Sequence, residues 1–459
     1  LPETIAPLTR LYAEFVAGCT PVGLPAAALE VARLGFTDST AAILGGRRQE
    51  VLARLSVHLE RLGGTKASRL MFSARRASLT QAGLVNATAA HALDYDDFAF
   101  SNHPSAVLVP TILAAADTNG ATGARMATAY VAGYEVWSDI MSREPDHIYD
   151  RGWHPTAVFG PIGAAAAAGV VLGLDAERAS HALALAASIA GGVFENFGTM
   201  AKPLHGGRAA EAGLTAASLA LAGMEASPTA LEGRHGLLHA VSPQGRVDRT
   251  TRPKLGERWR VVELRLNIKK HPVVGAAQRA IDATLALRQR EKIDLDRITA
   301  IVARVSERHA AVMPFHRPTT ALQAKFSLEF AVACALIHGA VGLDQLRDEI
   351  VDSPRLQSLM SKVTIETTTE FEPGWRDAAP YDEVRLSMTD GMTLASPRIR
   401  RATGHADTPL STAEIWAKFS SCAAFTGVSP AATEALFAAM QRIDSLSGPV
   451  AIPDVGEVP

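Results

Sequence analysis

The sequence predicts a mainly α-helical protein, with a large helical domain built from both ends of the chain and a smaller α+β domain between them. Three observations carry this. Up to about residue 260 the chain is rich in Ala and Leu at helical spacing. After that, β-branched runs appear at Thr299 to Val305 and Val363 to Thr369. From Ser411 the helical pattern returns. The boundaries read as 1–265 plus 405–459 for the helical part and 266–404 for the insert.

Leu8, Leu11, Tyr12 and Phe15 make the first i, i+3, i+4, i+7 stripe. Pro25 precedes a helix from Ala26, and Pro110 stands in the same way before Thr111 to Ala116. Ala127 to Ile140 gives an apolar helix with Tyr130, Tyr134 and Trp137 along it. Gly163 to Leu174 and Ala179 to Ala190 are Ala-rich, and Asp175 can cap the second of them through its carboxylate. Ala209 to Leu221 continues the theme. Such small residues let helices approach closely, which places these runs at the centre of a bundle. Glu263 to Ile268 alternates loosely. Helices Gly275 to Leu287 and Ala324 to His338 lie among the predicted strands. Val384 to Met388 and Met392 to Leu394 flank Thr389-Asp390-Gly391, a hairpin signal. Ser411 to Glu414 reads as a capping box. The Pro-containing tail, Gly448 to Pro459, reads as extended or frayed.

Composition removes several classes. A net charge of −2 offers no footprint for nucleic acid and no polybasic membrane anchor. The most apolar run, Ile162 to Leu174, is short of the roughly 20 residues that span a bilayer. Leu1 to Thr20 carries Glu3, Arg10 and Glu14, unlike a signal peptide. Cys19, Cys334 and Cys422 lack metal or disulfide spacing, so a reducing, cytoplasmic setting fits.

Four segments could carry chemistry. Between His91 and His103 lie Asp94, Asp96 and Asp97, a set costly to bury; by spacing alone it reads equally as a capped turn on a solvated loop. His154 sits between Trp153 and Pro155 at a helix entry, where a histidine can titrate or simply be satisfied. Lys202, His205 and Arg208 recur every three residues on a glycine-rich stretch. They are either solvated cations or ligands for substrate carboxylates. Lys269-Lys270-His271-Pro272 is either a charged linker or a cation held at an interdomain cleft. No HExxH motif, closed cysteine set or phosphate loop is present, which favours chemistry without metal or cofactor.

Together these segments resemble the MmgE/PrpD family. The matching pieces, in order, are HALDYDD with HPS at 91 to 105, GYEV at 133 to 136, RGWHPTAVFG at 151 to 160, LGLD at 172 to 175, NFGTMAKPLHGGRAA at 196 to 210, KKHP at 269 to 272 and AKFSLEF at 324 to 330. The resemblance implies an all-helical domain with an α+β lid, a homodimer, no cofactor and a small polycarboxylate substrate. It also implies the site residues. Asp94, His103, His154, Lys202 and Lys269 are the catalytic candidates, with Asp94 orienting or charge-stabilising a histidine. His205, Arg208, Phe98, Val274 and Arg317 are the substrate-binding candidates.

The chemistry is coherent. Removing a proton beside a carboxylate builds charge that preorganised cations must stabilise, while a histidine moves the proton. Three positions depart from the family pattern. Phe98 stands where a hydroxyl residue is common, Val273 and Val274 where His or Cys is, and Pro314 where decarboxylase-type members carry Tyr. The leading expectation is a hydro-lyase acting on a 2-methylcitrate-like polycarboxylate. The alternatives are an epimerase of the iminodisuccinate type, a decarboxylase of the cis-aconitate type, and a catalytically silent carboxylate-binding paralogue.

Overall fold

The helices of the first core exist because small residues line their contacts. The computed structural model describes residues 6–144, 148–242, 244–375 and 378–456. Helix Pro155–Leu172 lies at the centre, packed against Gly123–Ser142, Pro104–Asn119 and Ala201–Leu221. A β-carbon at Gly133 would sit 2.9 Å from the Gly163 carbonyl oxygen, so only glycine permits that crossing. Pro155–Leu172 is long and apolar enough to cross a membrane by length and composition, yet 94% of it is buried inside the protein. It is the spine of a core.

Asp175 caps helix Ala176–Ile189, accepting from the Arg178 amide at 2.8 Å. Ser411 and Glu414 form the capping box of helix Thr412–Phe425. Proline was less informative. Pro110 does not start a helix; it lies inside Pro104–Asn119, which starts at the proline six residues earlier. A buried neighbourhood holds the helix together across the one missing donor. The loosely alternating Glu263 to Ile268 is likewise no strand. Its first part closes the short helix Arg260–Leu264. The helical domain also carries a small antiparallel pair, Ser68–Arg69 with Arg76–Ala77, so it is not purely helical.

The second core is a separate cluster running from Val273 to Met388. Its four-stranded sheet has the order Val363–Thr368, Ile298–Ser306, Glu383–Met388, Thr393–Ala395; the first pair is parallel and the others antiparallel. Ile301, Ala303 and Val305 alternate inward, and a register shift after Ile298 keeps that residue buried too. Gly391, at φ +83°, turns the hairpin between the last two strands. Helices Gln278–Arg290 and Leu328–His338 pack together beside the sheet. The second of these is shorter than the continuous apolar run predicted. The chain makes one turn at Ala321–Ala324, breaks at Lys325, and restarts under a Ser327 cap.

The two cores meet along a narrow seam. Phe98 and Asn267 exchange backbone hydrogen bonds at 3.0 and 2.9 Å, and the Ile268 amide donates to Gly404 at 2.8 Å. The tail is extended but not frayed over its described part. Arg69 grips the Val450 carbonyl at 2.6 Å, Arg47 that of Gly456 at 2.5 Å, and Val450 is buried. Pro459 lies outside the described residues.

Candidate active site

The loop between helices Leu79–His91 and Pro104–Asn119 is the floor of the site. Asp94, Phe100 and Ser101 all adopt left-handed backbone, with φ of +52°, +41° and +59°. Three such residues in one loop are unusual, and such strain persists only where surrounding structure over-determines it. Around Asp94 four ties do so. Lys418 donates to the Tyr95 carbonyl at 2.6 Å, Lys269 to that of Asp94 at 2.7 Å and Lys325 to that of Ala92 at 2.7 Å. The Tyr95 hydroxyl donates to Lys270 at 3.0 Å.

The left-handed turn aims Asp94 at two lysines. Lys202, in the first turn of helix Ala201–Leu221, bonds Oδ1, and Lys269 bonds Oδ2 at 2.8 Å. All three side chains are buried. Burial by itself would raise the Asp94 pKa, but the two ammonium groups overcome it and hold the carboxyl well below its ordinary range. Lys202 in turn is lowered by burial, against the pull of Asp94. Aromatic rings close the space around the cations. Lys202 lies 5.4 Å from the Phe197 ring centre and 5.5 Å from that of Phe326, and Lys269 lies 6.0 Å from that of Phe98.

The histidine partner is Asp96, not Asp94 as expected. Neighbouring positions 94 and 96 point to different groups because the turn at Asp94 reverses the chain. One Asp96 oxygen receives Nδ1 of both His91 and His103, each at 2.9 Å. If Nδ1 donates in both, each Nε2 is left as an acceptor. Nε2 of His91 and of His154 is buried with no hydrogen-bond partner among the described residues. The His91 and His154 rings stack 5.9 Å apart at 9°, with His103 edge-on to His91 at 4.5 Å. Nδ1 of His154 and His205 lie 3.1 Å apart, so one must donate and the other accept. Burial is the main cause lowering all four histidines. His91 falls to about 3 and His205 to about 4, and His154 lies well below its ordinary value. The resting array is therefore neutral at pH 7.

Seven of the expected residues gather here: Asp94, Phe98, His103, His154, Lys202, His205 and Lys269. Val274 stands at the edge, its amide donating to the Lys325 carbonyl at 3.0 Å. Two do not join. Arg208 is exposed and pairs with Glu211 on the outside of its helix. Three-residue spacing drifts by about 60° per step on a 3.6-residue helix, so the third cation of the series has rotated out. Lys202 and His205 also sit within the helix rather than on a loop ahead of it. Arg317 is exposed on the segment after Pro314. That segment nevertheless touches the site. The Phe315 ring fills the space a β-carbon would need at Gly198, a position at φ +76°.

Three residues had no role assigned from sequence: His91, Asp96 and Lys325. The first two lay inside the His/Asp-rich segment, and the third inside AKFSLEF, where its position at a helix break gave no signal. His91, Asp94 and His103 offer ligand atoms within 4.8 Å of one another, close enough for a metal ion. Both Asp94 oxygens are bonded to ammonium groups, which a divalent cation would have to expel. The donor set suits an anion-binding site better.

Comparison with known proteins gives the family. Residues 10–250 match the MmgE/PrpD N-terminal domain and residues 271–442 the MmgE/PrpD C-terminal domain. The chain is 29% identical over 357 residues to the cis-aconitate decarboxylase of Mus musculus, covering 74% of this chain and 71% of that protein. It is equally 29% identical over 356 residues to the human protein of that name, covering 74% and 72%. With the cis-aconitate decarboxylase of Aspergillus terreus it shares 24% over 399 residues, covering 81% and 80%. Matched by the family's two domains in order and by relatives across most of its length, the chain belongs to the MmgE/PrpD family.

Proposed function

We propose that this protein is a lyase acting on a small polycarboxylate by proton transfer, with decarboxylation of a cis-aconitate-like tricarboxylate as the leading reaction. The observation that carries the proposal is the buried Asp94–Lys202–Lys269 cluster beside neutral imidazoles, two of which keep an Nε2 without a hydrogen-bond partner among the described residues. The relatives, cis-aconitate decarboxylases, support the choice of reaction. In that reaction the bond to one carboxylate breaks, its electron pair stays on the carbon framework, carbon dioxide leaves and a proton is added. Lys202 and Lys269 would stabilise the charge that gathers on the framework, being already oriented and desolvated. His103 or His154 would deliver the proton once the polyanion has raised its pKa.

A second reading, the hydro-lyase that the sequence favoured, draws on the resting protonation of the array. Neutral imidazoles are bases. One would take the proton beside a carboxylate, the electron pair would form the double bond, and hydroxide would leave as water with the proton that the imidazolium so formed gives back. The homodimer that the resemblance implies belongs to the same proposal, and sedimentation at micromolar concentration tests it.

Proton NMR in D2O with unsaturated, hydroxy- and amino-polycarboxylates separates the reactions. Loss of carbon dioxide with one deuterium added to the product supports the decarboxylase, and loss of water supports the hydro-lyase. Deuterium exchange with inversion alone would point to an epimerase. No change in any substrate would overturn the lyase reading.

A further inference from the structure

Lys325 belongs to the second domain, yet its ammonium lies in the first. The break between helices Ala321–Ala324 and Leu328–His338 swings it across the seam, 233 residues from the Ala92 carbonyl it bonds at 2.7 Å. The side chain is buried. Its own carbonyl accepts from Val274, and the next residue, Phe326, supplies one of the rings over Lys202. The charged groups that face it come from four separate segments. They are Asp94 on the loop, Lys202 on helix Ala201–Leu221, Lys269 on the linker and Asp348 on helix Asp348–Val351. Ala92 is two residues ahead of Asp94, so this bond bears directly on the strained turn that aims the Asp94 carboxylate.

We propose that Lys325 is a positioning residue for the reaction. From the second domain it fixes the Asp94 turn and adds a third cation to the anion cradle, so that the cradle is complete only while the two domains are docked. Lys202, Lys269 and Lys325 set three cations around the one carboxylate of Asp94, among neutral histidines, with Asp348 the other acidic group that faces Lys325. The proposal rests on the polycarboxylate reading above. Burial lowers the Lys325 pKa from the usual lysine value to about 8, so the third charge is lost as pH rises through that region.

Lys325→Met and Lys325→Arg, with the full-length wild-type chain, test it. Met fills similar volume without charge, and it removes the donor to the Ala92 carbonyl. Expected for Lys325→Met is a loss of about tenfold to a hundredfold in kcat/KM, the range for a hydrogen bond to a charged donor. In wild type, kcat/KM should fall above about pH 8. Lys325→Arg should restore part of the activity and move that alkaline limb upward, because guanidinium keeps its proton. Amide hydrogen exchange of the peptide containing Ala92 to Asp97 should be faster in Lys325→Met.

Wild-type kinetics, pH profile and exchange retained in Lys325→Met would overturn the proposal. Should that variant not fold, an alkaline limb unmoved in Lys325→Arg would overturn it instead. If wild type turns over no polycarboxylate, the lyase reading has failed, and the exchange comparison alone then decides the role of Lys325.

Discussion

The site has two halves that solve the cost of burial in opposite ways. At Asp94, charge is kept and cancelled: one carboxylate lies between two ammonium groups, and every polar atom of Asp94 described above has a partner. Among His91, His103, His154 and His205, charge is given up, and two ring nitrogens are left without partners. A saturated ionic cluster resists rearrangement, while a neutral array with free lone pairs can still accept a proton. The first half therefore reads as the fixed binding frame and the second as the part that reacts.

The contrast can be broken at either half. His103→Asn keeps a donor near the Asp96 carboxylate and removes the titrating ring. It should lower kcat by about 10²- to 10⁴-fold, the usual contribution of a positioned acid or base, with little change in melting temperature. Turnover within a few-fold of wild type would remove His103 from the reacting half. The pH profile sharpens this test. If a neutral histidine is the base, its lowered pKa keeps it active below the ordinary histidine value of about 6.5, so the acid limb of kcat/KM should fall there. A requirement for imidazolium has the opposite sign, with kcat/KM falling as pH rises.

Asp94→Asn attacks the other half. It leaves two buried ammonium groups without a carboxylate and should destabilise the fold by about 3–5 kcal/mol, read from urea unfolding. A stability equal to wild type would mean that the lysines find other partners. The smallest effect belongs to the residue that left the site. Arg208→Gln removes only an exposed pair with Glu211, so stability should change by less than about 1 kcal/mol and KM should stay the same. A large rise in KM would place Arg208 back among the substrate contacts.

How much of this was legible follows the range of each interaction. Asp175 and Ser411 are caps, decided by residues three positions away, and both form as their local sequence directs. The strands at Ile298–Ser306 and Val363–Thr368 were readable from β-branched residues alone. Pro110 misled because a buried helix tolerates a proline that an isolated one would not. Within the site, residue types were visible but pairings were not. Asp94 and Asp96 differ in partner because of one left-handed residue, and neither composition nor spacing reports a φ angle. Lys325 was invisible as a site residue for a different reason. Its segment reads as continuous helix, and only tertiary packing decides that it breaks there.

The Lys418 tie has a consequence for biosynthesis. It reaches the Tyr95 carbonyl from 323 residues further along the chain, and the same ammonium lies 2.6 Å from Asp38. A growing chain therefore carries the four site histidines and the lysines at 202, 269 and 325 well before helix Thr412–Phe425 arrives to pin the loop that organises them. A nascent or truncated chain ending ahead of Lys418 would hold the reactive groups without one of the clamps that sets their geometry. Activity should then emerge only once helix Thr412–Phe425 has been made.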